Sequence, residues 1–158
     1  MEIEDYQPMG SLNHSIAQAR LTSLLSNDKR FTPAVELSLD ISQIDLSQFA
    51  IKAKDELKPD LCCYPDSVGL RFDDPLKMSE MPLLIVEILS PRQAIDDILA
   101  KFKVYFALGI KSCWLVMPTI KSISVYLQLD NFQTFGTNDT ELVDDGLDIH
   151  LPLENIFR

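Results

Sequence analysis

Between residues 12 and 25 the apolar side chains include Leu12, Ile16, Ala19, Leu21, Leu24 and Leu25. Steps of three and four predict an amphipathic helix over residues 9–25. Ser11 or Asn13 can cap it, and Asn27-Asp28-Lys29 ends it. Residues 34–39 alternate apolar with polar, which predicts a strand. Residues 40–58 show no period and read as loop or ragged hairpin. Residues 59–64 predict another strand, because a proline is tolerated at a strand's first position. Pro65-Asp66 closes it, and Gly69, Pro75 and several acids make residues 65–80 a long connection.

Residues 83–89, Leu-Leu-Ile-Val-Glu-Ile-Leu, carry the strongest strand pattern. They are apolar on both faces except at Glu87, as expected of a central strand covered by helices. Ser90-Pro91 ends this strand and sets up a helix, with the Ser90 hydroxyl as its expected cap. From residue 93 to 108 a single stripe collects Ile95, Ile98, Leu99, Phe102, Tyr105 and Phe106, and Gly109 stops it. Residues 112–117 read as the next buried strand, ended by Pro118, and residues 122–127 as another. The tail (131–136, 141–143, 147–157) reads as short strands and a final turn. The order is helix, three strands, helix, strand, then a β-rich appendix, which is an α/β layered arrangement.

The chain has 158 residues, 46% of them apolar and 24% charged. That suits one globular domain over residues 1–158 and excludes whole-chain disorder. The longest apolar stretch, residues 81–89, is far shorter than the ~20 residues of a membrane span. The first five residues, Met-Glu-Ile-Glu-Asp, lack the apolar core of a secretory signal. A cytoplasmic location without a membrane is expected. Cys62, Cys63 and Cys113 form no CxxC and number three, against a disulfide framework. They are expected as buried hydrophobes, with Cys62 and Cys63 on opposite faces of a strand.

The formal net charge of −10 disfavours tight nonspecific nucleic-acid binding, which depends on phosphate neutralisation by Lys and Arg. The distribution softens this. Ten of the fourteen basic residues lie between residues 50 and 121, where ten acids balance them. The acids at both ends allow a homodimer built on the neutral middle.

Glu87 is the chemical anomaly. Burying a carboxylate inside so apolar a strand costs several kcal/mol unless it is paired or binds a metal. Asp60 begins another strand after Pro59. If the two strands are neighbours, both carboxylates converge at one end. With backbone carbonyls and water they make a hard oxygen site for Mg²⁺ or Mn²⁺. Such an ion polarises a phosphoryl oxygen and lowers the pKa of a bound water. A nearby lysine would orient the nucleophile or stabilise developing charge. A buried acid can equally serve only as the ion-pair partner of a helix lysine.

Pro59-Asp60, Glu87-Ile88-Leu89-Ser90-Pro91, Asp97, Lys101 and Tyr105 at four-residue steps, Gly109, Trp114-Leu115-Val116 and Pro118 together form a pattern. It resembles the Uma-two family of restriction-endonuclease-like proteins, abundant in cyanobacteria and placed in the PD-(D/E)XK nuclease superfamily. The resemblance covers roughly residues 10–157, and His14, Val125 and Tyr126 suit it. It implies a restriction-endonuclease-like core (α-β-β-β-α-β, a mixed sheet flanked by helices) with a β-rich C-terminal extension. It also implies a metal-dependent phosphodiesterase site acting on nucleic acid, with DNA as the expected substrate. Asp60 stands for the Asp of the Pro-Asp element, and Glu87 for the acid of the second element. Where the superfamily carries a lysine two residues later, this chain has Leu89. The Uma-two pattern offers Lys101 on the next helix instead. Asp60, Glu87 and the Ile88 carbonyl would hold Mg²⁺ or Mn²⁺, and Lys101 would orient or activate the attacking water.

Two other functions stay open at this level. One is a non-catalytic descendant of the fold serving as a binding or assembly module, motivated by the net charge and Leu89. The other is a phosphodiesterase for a small nucleotide. Glu36 is a third acid one strand earlier, on what reads as an exposed strand face. His14 and His150 read as surface or packing residues. Trp114 reads as core, and Tyr105 as half-buried beside a surface Asp97–Lys101 pair.

Overall fold

The computed structural model describes residues 10–51 and 55–158. Met9 at the expected start of the first helix, the acidic segment 1–5 and residues 52–54 lie outside the described residues.

Helix α1 (Leu12–Ser26) starts where Ser11 accepts the His14 amide N–H on its hydroxyl. Its buried side chains are His14, Ala17, Leu21 and Leu25. This is not the stripe expected from the sequence, since Leu12 is 74% exposed and Ile16 is at the surface. The helix is rotated so that a histidine, not a leucine, opens its inner face. Strand β1 (Phe31–Val35) begins three residues earlier than expected and stops at Glu36, whose φ of 52° breaks the alternation. Pro33 is tolerated there because β1 is an edge strand. The ragged hairpin takes the form of β2 (Leu39–Asp40) paired with β3 (Glu56–Leu57).

Strands β4 (Leu61–Pro65) and β5 (Leu84–Ile88) pair antiparallel. The connection between them leaves Leu70, Phe72 and Leu76 in solvent. Helix α2 (Ile95–Ala107) carries the chain across to β6 (Ser112–Met117), which pairs parallel with β5. Such a parallel return requires a crossover of this kind. The expected Ser90 cap is not formed, and the residue before α2 is Ala94, which makes no side-chain cap. Asp96 and Asp97 in the first turn of α2 supply favourable charge there instead. The chain leaves α2 through Gly109, at φ 89°, which a side chain rarely adopts.

Strands β7 (Ser122–Gln128) and β8 (Asn131–Phe135) extend the same sheet, giving the order β1-β4-β5-β6-β7-β8. Strands β9 (Glu141–Asp144) and β10 (Ile149–Pro152) form a separate hairpin leading to α3 (Leu153–Phe157). The β-rich appendix therefore does two things. It widens the sheet, and it covers the α1 face with Leu142, Ile149, Leu153 and Ile156. The indole N–H of Trp114 donates to Asp144 at 2.8 Å, which fixes that hairpin to the buried sheet.

Apolar side chains fill both faces. Leu61, Cys63, Leu84, Val86 and Ile88 pack with α1. Cys62, Tyr64, Ile85, Ile98, Phe102 and Tyr105 pack on the α2 side. Cys62 and Cys63 lie on opposite faces, buried and unpaired. In β5, Leu84, Ile85, Val86 and Ile88 are all fully buried. At roughly 1.5–3 kcal/mol each, they outweigh the several kcal/mol of desolvating one carboxylate. That is how the strand tolerates Glu87.

Candidate active site

The register of three strands builds the site. Val35 faces Leu61, and Leu61 faces Val86. The next row along the sheet is therefore Glu36, Asp60 and Glu87. Between β4 and β5 the backbone pairing ends at Leu61 and Val86 and does not continue through it. The Asp60 amide N–H donates to Glu87 Oε1 at 3.3 Å, and the Ile88 amide N–H donates to Asp60 Oδ2 at 2.7 Å. Each carboxylate has taken a backbone amide of the neighbouring strand. Sequence-predicted Asp60, Glu87 and Ile88 are thus brought together.

Ile88 is turned toward Asp60, whereas the next amide, Leu89, donates to Val116 on β6. The amide and carbonyl of an extended residue project to the same side, so the Ile88 carbonyl also faces the β4 side.

Lys101 comes from α2. Its Nζ lies 3.6 Å from Glu87 Oε2, with the lysine side chain 30% exposed and the glutamate 4%. That is an ion-pair contact longer than a hydrogen bond. One turn later Tyr105 is fully buried, not half-buried, and its hydroxyl has no hydrogen-bond partner among the described residues. Asp97 stays in solvent and Glu36 is exposed. The Glu36 amide donates to the Asp60 carbonyl at 3.3 Å, so its backbone serves the site although the residue is exposed.

Sequence reasoning missed two residues of α1. His14, read as a surface or packing residue, is buried, and its Nε2 lies 3.1 Å from Asp60 Oδ1. Gln18, one turn on, donates from Nε2 to the Asp60 carbonyl at 2.8 Å. The signal for both was the i, i+4 spacing of two polar residues bracketing Ala17, on the face that continues through Leu21 and Leu25. His150, by contrast, is exposed between Glu141 and Asp148.

The electrostatics follow from burial and proximity. Burial pushes the Glu87 carboxyl up to about 7, opposed by the Lys101 ammonium and assisted by the Asp60 charge. His14 is raised above its ordinary value, chiefly by its hydrogen bond to Asp60 and against the effect of burial. Glu36 and Glu87 add to that rise. Burial also pushes the Tyr105 hydroxyl well up, with Glu87 as the next cause.

No three His, Cys, Asp or Glu side chains converge as a ready cation cage among the described residues. Any cation would use two carboxylates and complete its shell elsewhere. A concavity of about 200 Å³, lined by Ser11, Asn13, Leu89, Pro91, Pro118 and Thr119, opens where α1 begins and β5 and β6 end. No helix among the described residues is long and apolar enough to cross a membrane.

No curated protein matches this chain. A solved structure from Anabaena variabilis ATCC 29413, described as "a putative nuclease belonging to DUF820", is similar to it. The identity is 18%, the match covers 95% of this chain and 83% of that one, and the TM-score is 0.74. The fold is therefore the mixed α/β nuclease fold, a mixed sheet flanked by helices. Residues 2–154 match the family described as "Uma2: Putative restriction endonuclease", and this chain belongs to that family.

Proposed function

We propose that this chain is a Mg²⁺- or Mn²⁺-dependent endonuclease that hydrolyses phosphodiester bonds in nucleic acid, with DNA the favoured substrate. The supporting observation is the row that sets Asp60 against Glu87 beside Ile88, with the Lys101 ammonium 3.6 Å from Glu87. Family membership points to the same class of reaction.

The donor set fits such a cation. Mg²⁺ is usually held by one or two carboxylates and keeps water and substrate phosphate in its remaining positions. Asp60, Glu87 and the Ile88 carbonyl would hold it. Bound there, it supplies a Lewis acid for the scissile phosphate.

The chain's own residues do the rest. Asp60 presents a carboxylate whose orientation is set by the Ile88 amide. In its ionised form, beside the Lys101 ammonium, Glu87 would add a second charge. Lys101 reaches in from solvent, where it orients the attacking water and offsets charge developing on the phosphate.

Replacing Glu87 with Gln tests this reading. Mg²⁺-dependent cleavage of plasmid DNA should disappear while circular dichroism stays that of the wild type. Cleavage unchanged by Glu87→Gln would remove the assignment.

The Lys101–Glu87 contact also favours a second reading, a non-catalytic module in which the ammonium permanently takes the place of a cation. Mn²⁺ calorimetry separates the two. Binding in the millimolar range or tighter supports the nuclease, and its absence supports the module.

A further inference from the structure

We infer that His14 is a positioning residue for Asp60, a role that rests on the nuclease reading. Its imidazole and the Ile88 amide grip the two oxygens of one carboxylate and fix the direction in which Asp60 offers its remaining lone pairs to a divalent cation.

Every polar atom of Asp60 has a named partner. Its N–H goes to Glu87, and its carbonyl accepts from Gln18 and Glu36. Oδ1 lies 3.1 Å from His14 Nε2, and Oδ2 accepts from Ile88 at 2.7 Å. An ionised carboxylate offers about four lone-pair sites, so two stay open after both contacts.

The two helices divide the work. From α2, Lys101 faces Glu87, and from α1, His14 faces Asp60. Each acid thus has one basic partner, supplied from opposite layers of the fold.

Packing alone does not explain His14. It sits on the inner face of α1 with Ala17, Leu21 and Leu25. A buried polar group without a partner costs about 1–3 kcal/mol, and an aliphatic residue would avoid that cost. Nor is His14 placed as a third ligand, because no trio of donors forms a cage among the described residues. Hydrogen-bond partners behind a metal-binding carboxylate typically change affinity about 10- to 100-fold when removed.

The test measures Mn²⁺ affinity by calorimetry on the full chain, with circular dichroism and thermal melting as fold controls. His14→Ala should bind Mn²⁺ about 10- to 100-fold more weakly than wild type. His14→Gln, whose amide can donate to Asp60, should recover most of the loss. If Ala leaves α1 unseated, His14→Phe fills the space without a donor and should show the same loss. Affinity within twofold of wild type in the Ala or Phe variant overturns the role. Loss of fold in both makes His14 a packing element and overturns it too. A loss in His14→Gln much larger for Ni²⁺ and Co²⁺ than for Mg²⁺ would mark His14 as a ligand itself, which also overturns it. Wild type failing to bind any of these ions would remove the nuclease reading and this role together. Wild-type binding with an indifferent His14 would remove this role alone.

Discussion

Asp60 and Glu87 face each other one step beyond the last backbone pair of β4 and β5, and the Asp60 amide donates to the Glu87 carboxylate at 3.3 Å. The pair is therefore anchored through the main chain on one side. The Glu87 carboxyl is held in an apolar layer, with one ammonium beside it and one carboxylate opposite.

That environment makes stability depend on pH. Burial raises the Glu87 carboxyl from an ordinary value of 4.5 to about 7. A folded-state value above the unfolded one stabilises the protein fully below about pH 4.5, and the contribution is lost as pH rises through about 7. Wild type should lose stability relative to Glu87→Gln across that window, by on the order of 3 kcal/mol. Urea denaturation of both proteins at pH 4.5 and pH 8 checks it. A constant difference between them at the two pH values would contradict the buried, protonatable acid.

Two substitutions should move the Glu87 carboxyl in opposite directions. Asp60→Asn removes a neighbouring negative charge and should lower its pKa. Lys101→Met removes the opposing ammonium and should raise it. Carbon-detected NMR titration of the glutamate side chains reads both shifts. Lys101→Met should also slow cleavage by roughly 10²- to 10³-fold, the usual cost of losing one stabilising donor. Lys101→Arg should not fully restore it, because a planar fork does not replace a compact ammonium.

Away from the site, Trp114→Phe should destabilise the fold without a change of shape. The indole N–H donates to Asp144, a fully buried carboxylate that also accepts the Leu147 amide. Removing one of two donors from a buried charge should cost about 1.5–3 kcal/mol. Guanidinium denaturation measures the loss, and a cost below about 0.5 kcal/mol would mean that the hairpin is not held through this bond.

The centre of the molecule was legible in the amino-acid pattern. The run around Glu87, the stripe of α2 and the stop at Gly109 all depend on neighbours within a few positions. What was not legible depends on contacts distant in the chain. The inner face of α1 was misplaced because Leu12 and Ile16 count as apolar wherever they point, while His14 becomes an inner residue only once Asp60 is there to meet it. The break in β1 at Glu36 reflects a left-handed backbone turn that alternation does not encode. The facing of Asp60 and Glu87 required the register of β4 on β5, which a single strand does not carry. The missing cap at Ser90 is a matter of local geometry, since α2 begins several residues further on.

The link between β4 and β5 holds Leu70, Phe72 and Leu76 fully in water, and it enters the interior only further on, at the buried Met78 beside Leu39. The alignment of the acids is set by which apolar side chains of the two strands enter which layer. Residues could be added to or trimmed from the middle of that link with little consequence for the chemistry. One residue inserted between Asp60 and Leu61 would slide the acid out of step with Glu87 and turn its side chain to the other face. The geometry of the acids thus leaves room for change in the middle of the link and almost none in the few residues beside Asp60.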